Sequence, residues 1–229
     1  MTEPVEAGAN IADMSVVVFG DRRVPRPFAC LAVVRAYGTG APEAIDAAIE
    51  ASRRLIVLGD DAELAAVLTR LLRAERLDVE VAYVPRRRSR ATRAYRLPTG
   101  FRAVRRARRG SARRVTLIRD ETGSVVVGRA CWLPPDDARR IHGEAVVDDT
   151  TLFDGDVAGV WIEPMLAAPG LRAAVAGRGP GGLWRRWVTG RAAQLGSTGV
   201  AVLRDGVPAA RAARRSAFYR NIEGWLLVG

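Results

Sequence analysis

Gly59, Asp60 and Asp61 stand between a strand-like run, LIVL at 55–58, and a segment with helical periodicity, and a turn in that position can do chemistry. The free N–H groups at a helix start bind phosphate when glycine lets the anion reach the backbone. Two carboxylates change what the turn can hold. Asp60 or Asp61 can carry a divalent metal that escorts a nucleotide's phosphates, or can cap the helix and satisfy the same N–H groups. Without a metal, a carboxylate about 4 Å from a phosphate charge costs about 1 kcal/mol in water and about 4 kcal/mol at an effective dielectric constant of 20. A second polar cluster, Arg86, Arg87, Arg88, Ser89 and Arg90, follows the next strand-like run. Guanidinium groups hold phosphate through charge-assisted, often bidentate hydrogen bonds. These arginines either replace a glycine cradle or pair with Asp60 and Asp61 and close the site; the sequence leaves both open.

The elements that must position these residues follow from hydrophobic patterning. MSVVVF at 14–19, CLAVV at 30–34, LIVL at 55–58 and VEVAYV at 79–84 read as strands. Pro42 suits the first turn of a helix running to about Ser52. Leu64, Val67, Leu68, Leu71 and Leu72 follow the i, i+3, i+4, i+7, i+8 template of an amphipathic helix. Strands alternating with helices predict a three-layer α/β domain with a mostly parallel sheet, which binds ligands at the carboxyl ends of its strands. Phe101, Val104 and Ala107 predict one more helix, ending at Gly110. From Val115 the texture changes to short strand-like runs broken by Gly, Asp and Pro, the pattern of an antiparallel β-sandwich-like domain. A helical interruption is expected over 171–190, and GWLLV at 224–228 reads as a last antiparallel strand. The predicted organisation is a flexible tail at 1–13, an α/β nucleotide-type domain at 14–114 and an antiparallel β domain at 115–229.

The net charge is +11, and all 36 basic residues are arginine. Abundant Ala, Gly and Val beside arginine suit a GC-rich coding bias, which dilutes the charge as a sign of nucleic-acid binding. The charge still predicts attraction to anionic ligands and surfaces. The arginine-dense section at 86–114 has few interleaved aromatics and matches no DNA- or RNA-binding signature. Cys30 and Cys131 lie far apart in apolar runs and are expected as core thiols, and His142 is expected as a surface or capping residue. No run approaches the ~18 apolar residues of a membrane-spanning helix, so a cytoplasmic protein is expected. Trp184 and Trp187, with arginines between them, fit either a core edge or a lipid contact.

The order of parts resembles the diacylglycerol kinase and lipid kinase family, relatives of the sphingosine and NAD kinases. LGDDAELAAVLTRLL stands where that family has a strand, a Gly-Gly-Asp-Gly-Thr turn and a helix. VAYVPRRRSRATRAYRLP stands where it has a strand and a Pro-Leu-Gly-Thr-Gly-Asn-type loop. FRAVRRARRGSARRVTLI corresponds to the next helix and β segment, DDTTLFDGDVAGVWI to an acidic strand entry, and VAVLRDGVPAARAARRSAFYRNIEGWLLV to the closing strands. The resemblance covers most of the chain from about residue 30 and rests on order and spacing. In the first turn only Gly59 and Asp60 match; Leu58, Asp61 and Ala62 replace two glycines and the threonine.

The resemblance implies ATP-dependent phosphoryl transfer to a lipid hydroxyl, with ATP and Mg²⁺ as cofactors and anionic lipid at the inner membrane face as a peripheral partner. It places nucleotide contacts at Gly59, Asp60, Asp61, Arg86, Arg87, Arg88, Ser89 and Arg90. It implies Asp154 as catalytic base, and Asp60 and Asp154 as metal partners. By its own residues, Asp154-Gly155 also reads as a plain hairpin turn, as does Asp205-Gly206. The alternative function is a non-catalytic, pseudokinase-like binding or regulatory relative, which the eroded glycines favour.

Overall fold

A computed structural model describes residues 13–135, 138–177 and 186–229. The described residues divide into two compact units: 13–88, 97–114 and 225–229 form the first, and 89–96 and 115–224 form the second.

The first unit is built on β1 (Met14–Phe19), β2 (Ala32–Ala36), α1 (Ala41–Glu50), β3 (Arg54–Leu58), α2 (Asp61–Arg73) and β4 (Glu80–Tyr83). The helix α4 (Gly100–Arg109), the strand β5 (Ala112–Val115) and the final strand β17 (Trp225–Val228) complete it. The sheet order is β2-β1-β3-β4-β17-β5. β1 lies between β2 and β3, and all the pairs from β2 through to β17 are parallel. Every residue of β1 and β3 is buried, as expected for central strands covered on both faces. One face of the sheet, with Val16, Val18, Ile56, Leu58 and Ala82, forms a core with Ala103, Val104 and Ala107 of α4. α1 packs against β1 and α2 against β3 through Ile45, Ile49, Leu64, Val67 and Leu68.

One buried charge ties sheet to helix. Arg54 donates to Glu80 on the neighbouring strand at 2.5 Å, and to the carbonyls of Ala107 and Arg108 at 3.2 and 3.3 Å. Its guanidinium meets the unpaired carbonyls of the last turn of α4, where a helix favours positive charge.

The closing strand corrects one expectation. Trp225–Val228 is not an antiparallel strand; it runs parallel to β4, pairing Leu226 with Glu80 and Leu227 with Val81. An apolar four-residue run looks the same in either sheet, so its sequence carries no signal of this return.

The second unit opens with α3 (Arg90–Ala94) and continues with β6 (Ile118–Asp120), β7 (Val125–Val126), β8 (Ala130–Leu133), β9 (Ile141–Val147) and β10 (Thr150–Val157). β11 (Val160–Pro164), β12 (Leu171–Val175), β13 (Val188–Gly190), β14 (Ala192–Arg204), β15 (Val207–Pro208) and β16 (Ala213–Arg220) follow. Its pairings are antiparallel, and the expected sandwich-like architecture is observed. β14 is the spine: Ala193–Gly196 pair with both β9 and β16, and Ala201–Arg204 pair with β8. Its register shifts between Gly196 and Val200, as where a strand passes from one layer to the next.

Leu171–Val175 and Val188–Gly190 are strands, against the helix expected over 171–190; Leu171 and Ala173 point into the core while Arg172 points out. Residues 178–185, including Trp184, lie outside the described residues, as does the tail up to residue 12. Cys30 is exposed and Cys131 half-buried, both as free thiols, so the expectation of two core cysteines fails for Cys30. No described helix is long and apolar enough to cross a membrane.

At Gly143 of β9 an added Cβ would stand 2.2 Å from the Gly196 carbonyl oxygen and 2.8 Å from the Ser197 Cα. Both are backbone atoms of β14, so no flexible side-chain end is there to yield. Gly143→Ala is therefore expected to cost about 1–3 kcal/mol, lowering the thermal midpoint by several degrees in a circular-dichroism melt.

Candidate functional site

The turn after β3 shows how the start of α2 is satisfied. Asp60 has extended backbone, φ −103°, ψ −173°, and is the residue that caps the helix. Its Oδ1 accepts from the Glu63 N–H at 3.0 Å, and Glu63 Oε2 accepts from the Asp60 N–H at 2.6 Å. This reciprocal capping box supplies acceptors from inside the chain to two N–H donors at the helix start. Glu63 also fills the space over the glycine, since a Cβ on Gly59 would lie 2.8 Å from Glu63 Oε2.

Arg22 locks the arrangement. Its Nη1 donates to Glu63 at 3.0 Å and to the Phe19 carbonyl at 2.7 Å, and its Nη2 stands 3.9 Å from Asp60 Oδ2. Asp61 accepts a 2.9 Å hydrogen bond from the Tyr83 hydroxyl at the end of β4. Glu63, Arg22 and Tyr83 were not among the residues singled out from the sequence. The Asp-x-x-Glu spacing of a capping box was legible at Asp60 and Glu63; Arg22, 41 residues from Glu63, gives no local signal.

Beside this turn the carboxyl ends of β1, β3 and β4 open into a cleft of about 740 Å³. Phe19, Gly20, Arg22, Arg23, Leu58, Pro85 and Arg86 are among the residues that line it. Its position and size are those of a small-molecule site in an open α/β sheet.

Neither implied group fits the turn. A phosphate at the start of α2 would have to displace the Glu63 carboxylate from the Asp60 N–H. A divalent cation on Asp60 would sit beside the Arg22 guanidinium. Among the described residues no three His, Cys, Asp or Glu side chains gather where they could hold a metal.

The other residues singled out from the sequence divide between the two units. Arg86 lines the cleft; Arg87 and Arg88 are exposed. Ser89 belongs to the second unit and caps α3, accepting from the Thr92 N–H at 3.2 Å while Thr92 Oγ1 accepts from its N–H at 2.8 Å. Arg90 stands 3.8 Å from Glu163. Asp154 is no hairpin turn: it lies exposed within β10, opposite Glu144 of β9. The tip of that hairpin is Asp148-Asp149, where Asp148 has φ 49° and accepts from the N–H groups of Arg191 and Ala192. Asp205-Gly206 is the turn its sequence predicts, with φ 49° and 89°. His142 is exposed, with Nδ1 3.0 Å from Asp156 Oδ1.

Glu163 is a buried carboxylate of the second unit. It accepts from Arg129 Nε at 2.8 Å and from Arg172 Nη2 at 2.6 Å, and also pairs with Arg129 Nη2. Burial pushes its carboxyl up, but the hydrogen bonds and charges of Arg129 and Arg172 outweigh that and hold it below the usual carboxylate range.

No family model matches this chain, and no curated protein matches it either. Solved structures do. A diacylglycerol kinase from Bacillus anthracis str. Sterne superposes with TM-score 0.70 at 10% identity, covering 97% of this chain and 98% of the other. An NAD kinase from Archaeoglobus fulgidus in complex with ATP gives 0.62 at 10% identity, covering 94% and 93%. Yeast NADH kinase complexed with NADH gives 0.61 at 7% identity, covering 94% and 83%. The chain therefore has the two-domain fold shared by diacylglycerol kinases and NAD kinases.

Glu63→Ala removes one half of the capping box and leaves Arg22 its longer contact with Asp60. It should destabilise the protein by about 1 kcal/mol, read as a lower midpoint in urea with unchanged slope. For Glu163 the folded carboxyl titrates below its unfolded value of about 4.3. Its stabilising contribution is thus complete above that pH and lost as pH falls through the folded value. Glu163→Gln should flatten the acid limb of stability measured by denaturant titration between pH 6 and pH 3.

Proposed function

We propose that this chain is a non-catalytic relative of the lipid and NAD kinase fold, a binding or regulatory module that takes a small ligand in the cleft of its first unit. One observation carries this reading: the Asp60–Glu63 capping box, clamped by Arg22, puts the chain's own carboxylates where the fold would offer bare N–H groups to phosphate. A ligand entering the cleft meets Arg23 and Arg86 at its rim and apolar Phe19, Leu58 and Val84 within. These surroundings suit a nucleotide's base and sugar better than a triphosphate seated on α2.

A second reading, an active lipid kinase, draws support from the cleft and from the match in fold along nearly the whole chain. In that reading ATP and Mg²⁺ would be cofactors, Asp154 the base that accepts the proton of a lipid hydroxyl, and Arg86–Arg90 the phosphate contacts. A peripheral contact with anionic lipid would belong to the same reading.

Calorimetric titration with ATP, with and without Mg²⁺, separates the two. The wild type is expected to show no Mg²⁺-dependent binding below millimolar concentration. Asp61→Gly/Glu63→Ala, which frees the Asp60 N–H and removes two carboxylates from the turn, is expected to bind at least ten-fold more tightly. Micromolar Mg²⁺-dependent binding by the wild type, with phosphate transfer from ATP to diacylglycerol in mixed micelles, would establish the kinase instead.

A further inference from the structure

A concave site in the second unit shares only Arg90 with the residues named above for nucleotide or metal. Four arginines, Arg90, Arg93, Arg129 and Arg172, line a cavity of about 280 Å³ together with Glu163. Four guanidinium groups against one carboxylate leave a formal charge of +3 in a space near the lower bound for small-molecule sites.

The cluster is built rather than incidental. Arg129 and Arg172 each give Glu163 two hydrogen bonds from one edge, using Nε and Nη2. Three of the five N–H donors of each guanidinium have no acceptor among the described residues. Aromatic rings fix the planes: Arg129 lies 4.2 Å from the centre of the Trp161 ring, and Arg172 lies 4.4 Å from that of Trp187. The loop beneath is pinned as well, since Asp205 accepts from the N–H groups of Val127, Gly128 and Arg129 at 2.9, 2.7 and 2.8 Å. Arg90 is only loosely paired, at 3.8 Å from Glu163, and Arg93 is exposed with no ion-pair partner among the described residues. Glu163 thus orients two cations that it only partly neutralises, and two more are left loosely held.

We infer that this arginine cup binds a phosphomonoester, with Arg129 and Arg172 as the pair held by Glu163 and Arg90 and Arg93 as the more loosely held contacts. A phosphomonoester carries up to two negative charges and several acceptor oxygens, which matches an excess of three cations and their unused forked donors. A neutral ligand would leave the cations unbalanced, and the cavity is too small for an extended polyanion. Either a lipid headgroup or a soluble metabolite can present this group.

The test keeps Arg129 and Arg172, because they also hold Glu163, and removes Arg90 and Arg93. Inorganic phosphate and glycerol 3-phosphate are titrated calorimetrically into wild type and Arg90→Ala/Arg93→Ala. Both proteins are then sedimented with phosphatidylcholine vesicles containing phosphatidic acid or, at matched charge, phosphatidylserine. Wild type is expected to bind glycerol 3-phosphate with submillimolar Kd, and the double variant at least ten-fold more weakly with an unchanged thermal melt. Sedimentation with phosphatidic acid but not phosphatidylserine, lost in the double variant, would make the source a lipid headgroup. Binding in solution with no selective sedimentation would make it a soluble ester. No binding of either phosphate compound, or equal binding by the double variant, overturns the inference.

Discussion

A helix that begins at the end of a buried strand leaves several N–H groups unpaired, and something must accept from them. In this protein the acceptors are Asp60 and Glu63, three residues apart on the same turn, and the consequences spread outward from that pairing. Two carboxylates side by side need a cation, and Arg22 arrives from the end of β1 to supply it. The contact also ties the loop after β1 to the first turn of α2, shaping one wall of the cleft. A turn of bare glycine would leave the same N–H groups to be satisfied by a bound anion. The choice between self-capping and ligand capping is therefore a choice between a prebuilt turn and one completed by phosphate. Desolvated N–H groups make the second option available only while nothing internal competes.

The same economy of charge recurs elsewhere in the molecule. Arg54 joins β3, β4 and the end of α4, while Arg204 reaches the fully buried Asp120, whose other oxygen accepts from the Thr122 and Ser124 N–H groups. With arginine as the basic residue throughout, such contacts are forked and directional, and one guanidinium can serve a carboxylate and two carbonyls at once. Buried ion pairs of this kind are weak sources of net stability but costly to break singly, because the partner is left charged and unsatisfied. They fix geometry more than they add free energy. In the second unit that geometry leaves cations in excess, which is why the arginine cup around Glu163 differs from the closed turn at Asp60.

Much of the architecture was legible because it depends on local pattern. The β-branched runs at 14–19 and 55–58 and the apolar stripe of α2 carry their periodicities openly, and the short runs broken by Gly, Asp and Pro carry the antiparallel texture. What was not legible depends on distant partners. WLLV at the C-terminus has no feature that says parallel, yet it inserts between β4 and β5. Asp154-Gly155 has a turn's composition but sits mid-strand, because the hairpin register is set by Asp148-Asp149 instead. The five-residue run Arg86–Arg90 looks like one basic loop, yet Arg86 lines a cleft of the first unit and Arg90 faces Glu163 in the second. At the turn itself the Asp-x-x-Glu signal was present, but its meaning was hidden by the missing cation.

The most direct measurement is a heteronuclear NMR titration of the ¹⁵N-labelled protein with Mg-ATP, following the amides of Gly59 to Glu63. A self-capped helix predicts that these amides stay in place up to millimolar Mg-ATP, with any shifts confined to the cleft around Phe19–Arg23 and Arg86. Large saturable shifts of the Asp60, Asp61 and Glu63 amides would show phosphate displacing the internal carboxylates, and would contradict the closed turn.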